Sequence, residues 1–243
     1  MKSATFQGGA PRGVSSRLAV LMVLGSAAAV AACSSNNDNT TPPAASAIGV
    51  VSGNAQISTA GAAGLAQPMV VIVTDQNGNP ISAVTVSFTA TGGATLTTPS
   101  ATTSSSGTAT DSVTLIGNTT GTDTVTASVS GVSTSATFTY TVQAGAAAAI
   151  AVVSGNNQTG AISTAIAAPM VVTVTDAHGN PVANATVDWT VTAGLLSGTA
   201  STVTDVTGST QNGLTFPAVT GAVTVTATVH GTAASTTFTE TAM

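Results

Sequence analysis

The sequence predicts an all-β protein built from two tandem β-sandwiches of about seven strands each. Thr and Val alternate along most of the chain, and these β-branched residues suit pleated strands. Gly, Asn and Pro interrupt the alternation at short intervals, as turns between strands do. The chain is also duplicated, because 13 of the 23 residues at positions 68–90 are identical to those 101 positions later. Each half, at roughly 100 residues, is long enough to bury its own core.

The N-terminal segment predicts export. All three basic residues (Lys2, Arg12 and Arg17) precede an apolar run of 13 residues at 18–30, which is too short to span a bilayer as a helix. Residues 1–32 are therefore interpreted as a signal peptide.

The residues across the end of the signal peptide, 30–33, read VAAC, and Cys33 is the only cysteine of the chain. This sequence resembles the bacterial lipobox, and the resemblance implies that Cys33 receives a diacylglycerol group and becomes the new N-terminus. An ordinary cleavage site with a chance thiol is the alternative. A multiply acylated cysteine anchors a protein durably, so the membrane is the expected partner.

Residues 33–46 are predicted to be a lipidated cysteine followed by a disordered tether, since SSNNDNTTPP has a solvated composition. Ser34 directly after the cysteine resembles an outer-membrane sorting pattern of some Gram-negative bacteria. We expect a cell-envelope location, as an outer-membrane lipoprotein that is either surface-exposed or faces the periplasm.

A turn that occurs twice marks the duplication: TDQNGNP at 74–80 and TDAHGNP at 175–181. Asp accepts backbone N–H groups, Asn and Gly tolerate positive φ, and Pro cannot donate to a strand ladder. With an apolar strand before it and an alternating strand after it, the motif predicts a β-hairpin. The alternative is a calcium loop formed by Asp75, Asn77 and Asn79. The closing Glu of such a loop is missing, and His178 replaces Asn77 in the second copy.

Residues 47–143 and 144–243 are the two predicted domains. In the first, we expect strands near 48–52, 69–74, 84–90, 94–98, 109–115, 122–129 and 133–142. Alternation places Phe88 and Trp189 at matching core positions of their strands. Glu240 stands where the first copy has Tyr140, and we expect it on an exposed rim.

The charge balance excludes nucleic acid as a partner. All eight acidic residues follow Cys33 and no Lys or Arg does, so the mature chain has a formal charge of 0 − 8 = −8. Such a chain cannot neutralise phosphates.

The residues offer little for catalysis. His178 and His230 are expected to be solvated turn residues, and no His, Cys and carboxylate cluster has zinc spacing. Trp189 could be a sugar-binding platform, but its alternation with Val187 and Val191 favours a core position. We therefore predict no enzyme activity, no catalytic or metal-binding residues and no cofactor.

The repeated features together resemble bacterial immunoglobulin-like domains of group 1, the stalk repeats of invasin- and intimin-type adhesins. They are the DxxGNP turn, the glycines at 107 and 208 and at 121 and 221, and the TVTA strand at 124–127 and 224–227. The resemblance covers about residues 47–242. It implies tandem immunoglobulin-like sandwiches in a surface spacer or adhesion module, with a protein or glycan as a possible partner. A glycan- or calcium-binding surface module is the alternative.

Overall fold

The computed structural model describes residues 43–243, which consist of β-strands, turns and loops. The first sandwich contains β1 (Ala47–Ser52), β2 (Gln56–Thr59), β3 (Met69–Thr74), β4 (Thr85–Ala90), β5 (Thr95–Leu96), β6 (Ser100–Thr102), β7 (Thr108–Asp111), β8 (Val113–Leu115), β9 (Gly121–Val129) and β10 (Ala136–Gln143). The second contains β11 (Ala149–Ser154), β12 (Thr159–Gly160), β13 (Met170–Thr175), β14 (Thr186–Val191), β15 (Leu195–Leu196), β16 (Ser201–Val203), β17 (Ser209–Asn212), β18 (Leu214–Thr215), β19 (Gly221–Val229) and β20 (Ser235–Ala242). A helix that could cross a membrane is not found in this part of the chain.

Each sandwich packs a three-stranded sheet against a five-stranded sheet, as the predicted all-β architecture requires. In the first sandwich the strand orders are β1-β3-β7 and β2-β10-β9-β4-β6, and the second repeats them as β11-β13-β17 and β12-β20-β19-β14-β16. The pairs are antiparallel except for β2 with β10 and β12 with β20, which are parallel. Two-stranded ribbons, β5 with β8 and β15 with β18, complete the two units.

Period-two alternation builds both cores. In β10 the residues Ala136, Phe138, Tyr140 and Val142 are buried, and the residues between them are exposed. Such strands expose one face to water and bury the other, because successive side chains point to opposite sides of the sheet. Each large apolar side chain buried in this way contributes roughly 1.5–3 kcal/mol.

Trp189 lies in the core of the second sandwich, as its alternation predicts. Its side chain is 2 % exposed and its ring centroid is 6.0 Å from that of Phe238. The indole Nε1–H donates to Oγ1 of Thr202 over 2.8 Å, so the polar end of the ring is also bonded. This placement leaves no surface platform for a sugar at Trp189.

The two cores are separate. One cluster of buried side chains draws on residues between Ile48 and Val142, and the other on residues between Met170 and Ala242. Residues 43–243 therefore contain both cores and the strands that enclose them.

The structure has ten strands per sandwich where the sequence predicted seven. The predicted strand at 109–115 is divided into β7 and β8, because Oδ1 of Asp111 accepts the N–H groups of Ser112 and Thr98 and so interrupts the ladder. The region predicted as one strand at 94–98 holds only β5, and the next residues form β6 beside β4. The parallel strand β2 was not predicted.

The prediction that the repeated turn closes a β-hairpin is wrong. β3 belongs to the three-stranded sheet and β4 to the five-stranded sheet. After the turn a single bridge joins Thr74 to Pro80, and Ile81 N–H then donates to the carbonyl of Val73. Since Pro80 has no N–H, the ladder cannot continue, and the chain crosses to the opposite sheet.

The expectation that Glu240 lies on an exposed rim is also wrong. Its side chain is fully buried, with Oε2 accepting the N–H of Gln158 and Oε1 without a partner among the described residues. The reason is that position 240 lies on the same side of β20 as Phe238 and Ala242, so its side chain points into the space between the two sheets. Burial raises the pKa of Glu240, against the smaller opposing effect of the Gln158 N–H.

Candidate interaction site at the junction of the two sandwiches

The two copies of the repeated turn have the same internal hydrogen bonds. We call residues 75–80 the first turn and residues 176–181 the second turn. In the first turn, Oδ1 of Asp75 accepts the N–H groups of Asn77 and Asn79, each over 2.8 Å, and Oδ2 accepts Nδ2 of Asn79. Asp176 accepts the corresponding groups of the second turn. The aspartate therefore acts as the internal acceptor that closes the loop.

The second turn lies against the first sandwich. Nδ2 of Asn180 donates to the carbonyl oxygen of Asn118 over 2.8 Å, and Oδ1 of Asn180 accepts the N–H of Thr120 over 3.2 Å. One amide side chain thus bonds two backbone groups of the loop before β9. Asn180 is only 8 % exposed, whereas Asn79 of the first turn is exposed.

The segment that links the sandwiches joins the same contact. The N–H of Gly145 donates to Oδ2 of Asp176 over 2.9 Å, so the carboxylate bonds the linker as well as its own turn. Asp176 is 3 % exposed. The linker, the second turn and the loop at 118–120 therefore form one hydrogen-bonded junction.

The residue of the first sandwich that faces His178 has to be glycine. A Cβ at Gly61 would lie 2.3 Å from Nε2 of His178, and Gly61 has a φ of +70°. Glycine supplies both the space and the left-handed conformation that this approach requires. His178 is exposed, as the sequence predicted, but it also contacts the first sandwich.

The junction changes the acidity of Asp176. Burial raises its pKa, but the hydrogen bonds from the Asn180 side chain, the Gly145 N–H and the turn N–H groups outweigh it and lower the pKa to about 2. The pKa of Asp75 is also lowered, first by the side chain of Asn79 and then by its backbone N–H. Both turns therefore carry an ionised carboxylate at neutral pH.

The first turn faces solvent. It borders a shallow hollow of about 590 Å³ whose lining includes Pro43, Ala44, Gln76 and Val132. The two turns thus combine one local structure with two different surroundings. A group of three or more metal-ligating side chains is not found within residues 43–243, at the turns or elsewhere.

A second polar cluster lies on the outer face of the second sandwich. Nδ1 of His230 is 2.7 Å from Oδ2 of Asp188, and Oγ of Ser201 donates to Oδ1 of the same carboxylate over 2.6 Å. The hydrogen bond from Ser201, and then that from His230, lower the pKa of Asp188. Because the aspartate stands between the hydroxyl and the imidazole, His230 is not placed to take the proton of Ser201. His230 is 70 % exposed, in line with the predicted solvated turn residue.

Sequence reasoning found the turn but missed the junction. It treated the two Asn residues of the turns alike, whereas the structure gives Asn180 an interdomain role. The short linker between the two sandwiches could have indicated the junction, because it holds the second turn close to the end of the first sandwich.

Cys33, the predicted lipidation site, lies outside the described residues.

Comparison with known proteins identifies the repeats. The profile of the bacterial Ig-like domain (group 1) family matches residues 54–143 and again residues 153–241. The comparison with curated proteins found no match.

Several solved structures are similar in fold. The D0-D1 domain of intimin is 23 % identical with a TM-score of 0.33, and the match covers 82 % of this chain and 98 % of that one. FdeC, an Escherichia coli adhesin, is 23 % identical with a TM-score of 0.48, over 81 % of this chain and 65 % of that one. InvD of Yersinia pseudotuberculosis is 21 % identical with a TM-score of 0.46, over 82 % and 57 %. This chain therefore spans less than two thirds of the FdeC and InvD structures.

Proposed function

Because the chain belongs to the bacterial Ig-like domain (group 1) family, we propose that it is a cell-envelope spacer that also serves surface adhesion or interaction. The junction is the observation that supports this function. Asn180 and Asp176 bond the end of one sandwich and the linker, so the second sandwich is attached by defined contacts as well as by the covalent chain. A spacer needs such joints, because an unrestrained linker would let the distal domain fold back.

The surface of the sandwiches suits a spacer. Outward positions of β9 and β10 are mostly Thr, for example Thr126, Thr137 and Thr139. Their hydroxyl groups are uncharged and can hydrogen-bond to water, so this surface does not need to be covered by another protein. The contact between Asp188 and His230 has no nucleophile beside the imidazole. We therefore assign the protein no enzymatic activity.

We further propose that the chain is attached to the membrane through its N-terminus. In this proposal residues 1–32 are removed, Cys33 is acylated and residues 33–46 form the tether. Residues 47–143 and 144–243 are then the two domains. The support is the sequence around Cys33 together with the absence of any later basic residue that could hold an anionic lipid surface.

The anchor is tested by replacing Cys33 with Ser in the expressing bacterium. We expect the wild-type protein to incorporate labelled palmitate and to sediment with membranes, and the C33S variant to do neither. Ser35→Ala, two residues away, is the control and should behave as wild type. Membrane recovery and labelling of C33S at the wild-type level would refute the anchor.

The surface location is tested with a protease of broad specificity on intact cells. Trypsin is unsuitable because no Lys or Arg follows Arg17. Digestion of the protein on intact cells would support display on the cell surface, and digestion only after the outer membrane is permeabilised would place the domains in the periplasm.

The adhesion function is tested by deleting residues 144–243 and measuring attachment of the cells to host or bacterial surfaces. We expect attachment to fall while growth and hydrolytic activities are unchanged. Calorimetry of residues 43–243 with Ca²⁺ and with cell-wall glycans tests the other function. Micromolar binding there would favour a ligand-binding module over a spacer.

A further inference from the structure

The structure repeats, at both ends of the described region, the two surfaces that meet at the junction. We call the surface formed by the first or second turn a turn face. A loop face consists of residues 61 and 117–120 in the first sandwich, and of residues 163 and 217–220 in the second. The junction joins the turn face of the second sandwich to the loop face of the first. The turn face of the first sandwich and the loop face of the second are exposed, apart from the half-buried Asp75 and Pro217.

The two loop faces have the same backbone. Gly61 N–H donates to the carbonyl of Gly117 over 3.1 Å, and Ser163 N–H donates to the carbonyl of Pro217 over 3.1 Å. Gly61 has a φ of +70° and Ser163 a φ of +61°. The two loops are therefore equivalent although their side chains differ.

The groups that hold Asn180 belong to the backbone of the loop face. They are the carbonyl of Asn118 and the N–H of Thr120, and their equivalents in the second sandwich are the carbonyl of Ala218 and the N–H of Thr220. Residues 218–220 are exposed. Because no side chain of the loop is needed, the second loop face offers the same pair of groups as the first.

The exposed turn face offers the matching side chain. Nδ2 of Asn79 donates to Asp75, as Nδ2 of Asn180 does to Asp176. Its Oδ1 accepts no hydrogen bond from residues 43–243, whereas the Oδ1 of Asn180 accepts the N–H of Thr120. Asn79 therefore has the conformation that the junction uses and an unused acceptor.

The residues at the centre of the contact differ in size between the junction and the proposed contact. Within the chain, the large His178 faces Gly61, where a Cβ would lie 2.3 Å from the imidazole. Between the two exposed faces, the shorter Asn77 would face Ser163. Ser163 is larger than Gly61 and Asn77 is smaller than His178, so the larger loop residue is matched with the smaller turn residue.

Apolar side chains lie within and beside the loop face of the second sandwich. Ile162, Leu195, Val219 and Met243 are exposed, and Ile162 N–H donates to the carbonyl of Met243. Leu195 pairs with Thr215, close to the same loop. Covering such side chains favours association, because apolar surface leaves water.

We propose that the turn face of the first sandwich of one copy binds the loop face of the second sandwich of another copy. The contact joins two different surfaces, so it is head-to-tail and each copy can bind a further one at either end. This inference goes beyond the spacer function, which does not depend on it.

The contact between copies is weaker than the junction within one copy. Gly145 N–H bonds Asp176 in the junction, but the equivalent position before β1 is Pro43, which has no N–H. Pro43 and Gly145 are equivalent because each lies three residues before an N–H group, that of Ser46 or Ala148, that donates to the matching carbonyl of Thr74 or Thr175.

The test uses two single-cysteine forms of residues 43–243, a segment that contains both cores and no native cysteine. Asn77→Cys is placed in one form and Ser163→Cys in the other, and the two are mixed under mild oxidation. We expect disulfide-linked heterodimers to exceed the homodimers several-fold. A statistical mixture of heterodimers and homodimers would overturn the proposal.

Two controls separate the contact from general effects. Adding Asn79→Ala to the Asn77→Cys form should return the mixture to statistical proportions, because the side chain that bonds the loop is removed. Thr137→Cys, on the exposed face of β10, replaces Asn77→Cys in the second control and should give no excess of heterodimers. Circular dichroism melting of each form confirms that it is folded. An excess that persists with Asn79→Ala would also contradict the proposal.

Discussion

The first and second turns have nearly the same sequence and the same internal hydrogen bonds, but only the second has its Asp and second Asn side chains, Asp176 and Asn180, buried. Asn79 is exposed, whereas Asn180 bonds two backbone groups of the preceding sandwich. The difference arises from the neighbouring structure and not from the turn itself. The same motif only closes its own loop in the first sandwich, whereas in the second sandwich it also bonds the neighbouring domain.

The two sandwiches also differ inside. Tyr140 and Glu240 occupy the same position of β10 and β20 and both are buried. The first sandwich therefore buries a phenol there and the second a carboxyl group. The consequence is that the two copies of one fold should respond differently to pH.

The largest expected effect is the loss of stability of one sandwich when a large side chain is removed from its core. Trp189→Ala should destabilise the second sandwich by about 3–5 kcal/mol, because a large buried side chain leaves a cavity. Calorimetric melting should show one transition lowered and the other unchanged, since the two cores share no buried residue. The matched change Phe88→Ala should lower the other transition. A common shift of both transitions would show that the sandwiches unfold as one unit.

The second prediction compares the two aspartates. Asp176→Ala should cost about 3 kcal/mol, because buried N–H donors of the turn and the linker lose their acceptor. Asp75→Ala should cost less, since water can replace the carboxylate at an exposed turn. Urea unfolding of both variants measures the difference, and equal losses would show that the junction adds nothing.

The acid response of Asp176 follows from its pKa. Its pKa is lowered from 3.8 to about 2 on folding, so the folded state favours the ionised form. The contribution to stability is complete above pH 3.8 and is lost as the pH falls through about 2. In the Asp176→Asn variant, this part of the acid sensitivity should be absent.

The third prediction concerns Glu240. Its pKa is raised above 4.5 by burial, so the folded state favours the protonated form. The contribution of Glu240 to the stability of the second sandwich is greatest below pH 4.5 and falls as the pH rises through the folded pKa. Glu240→Gln should remove this dependence, and Glu240→Met should stabilise the sandwich at neutral pH by roughly 1–3 kcal/mol.

Tyr140 provides the comparison for Glu240. Burial, followed by the charge of Asp123, raises the pKa of Tyr140 above 10.0, so the first sandwich should lose stability from this group only in alkali. Melting curves at mildly acidic and neutral pH should therefore move the second transition and leave the first in place. Equal movement of both transitions in wild type would contradict the assignment.

The smallest expected effect is local to the junction. Asn180→Ala removes the acceptor of the Thr120 N–H and should cost about 1–2 kcal/mol. The amide of Thr120 should then exchange with deuterium faster, while amides in the centre of β9 keep their rates. Asn79→Ala is the matched control and should leave Thr120 unchanged. Unaltered exchange at Thr120 in Asn180→Ala would argue against the joint.

Most of the fold could be predicted because its information is local. Alternation along β10 states which side chains are buried, and the same reasoning placed Trp189 in the core. The extra strands could not be predicted, because β2 is defined by its parallel pairing with β10 and not by its own four residues. The split between β7 and β8 likewise depends on where the carboxylate of Asp111 points.

The predicted hairpin and the predicted exposure of Glu240 failed for a related reason. The sequence around the first turn shows two strands and a loop, but it does not state that β3 and β4 belong to opposite sheets. Position 240 is near the last strand's end, yet its side chain lies on the inward face of β20 and accepts the N–H of Gln158. In both cases the packing of the two sheets decides the environment.

The class of the fold, the duplication, the internal hydrogen bonds of the two turns and most of the core residues could be predicted from the amino-acid sequence. These features follow from periodicity and from the conformations that Asp, Asn, Gly and Pro allow. The folded arrangement was needed to learn that Asn180 bonds the preceding sandwich while Asn79 faces solvent, and that Glu240 is buried. Burial and hydrogen-bond partners depend on backbone groups that are distant in sequence, and short-range sequence patterns do not contain that information.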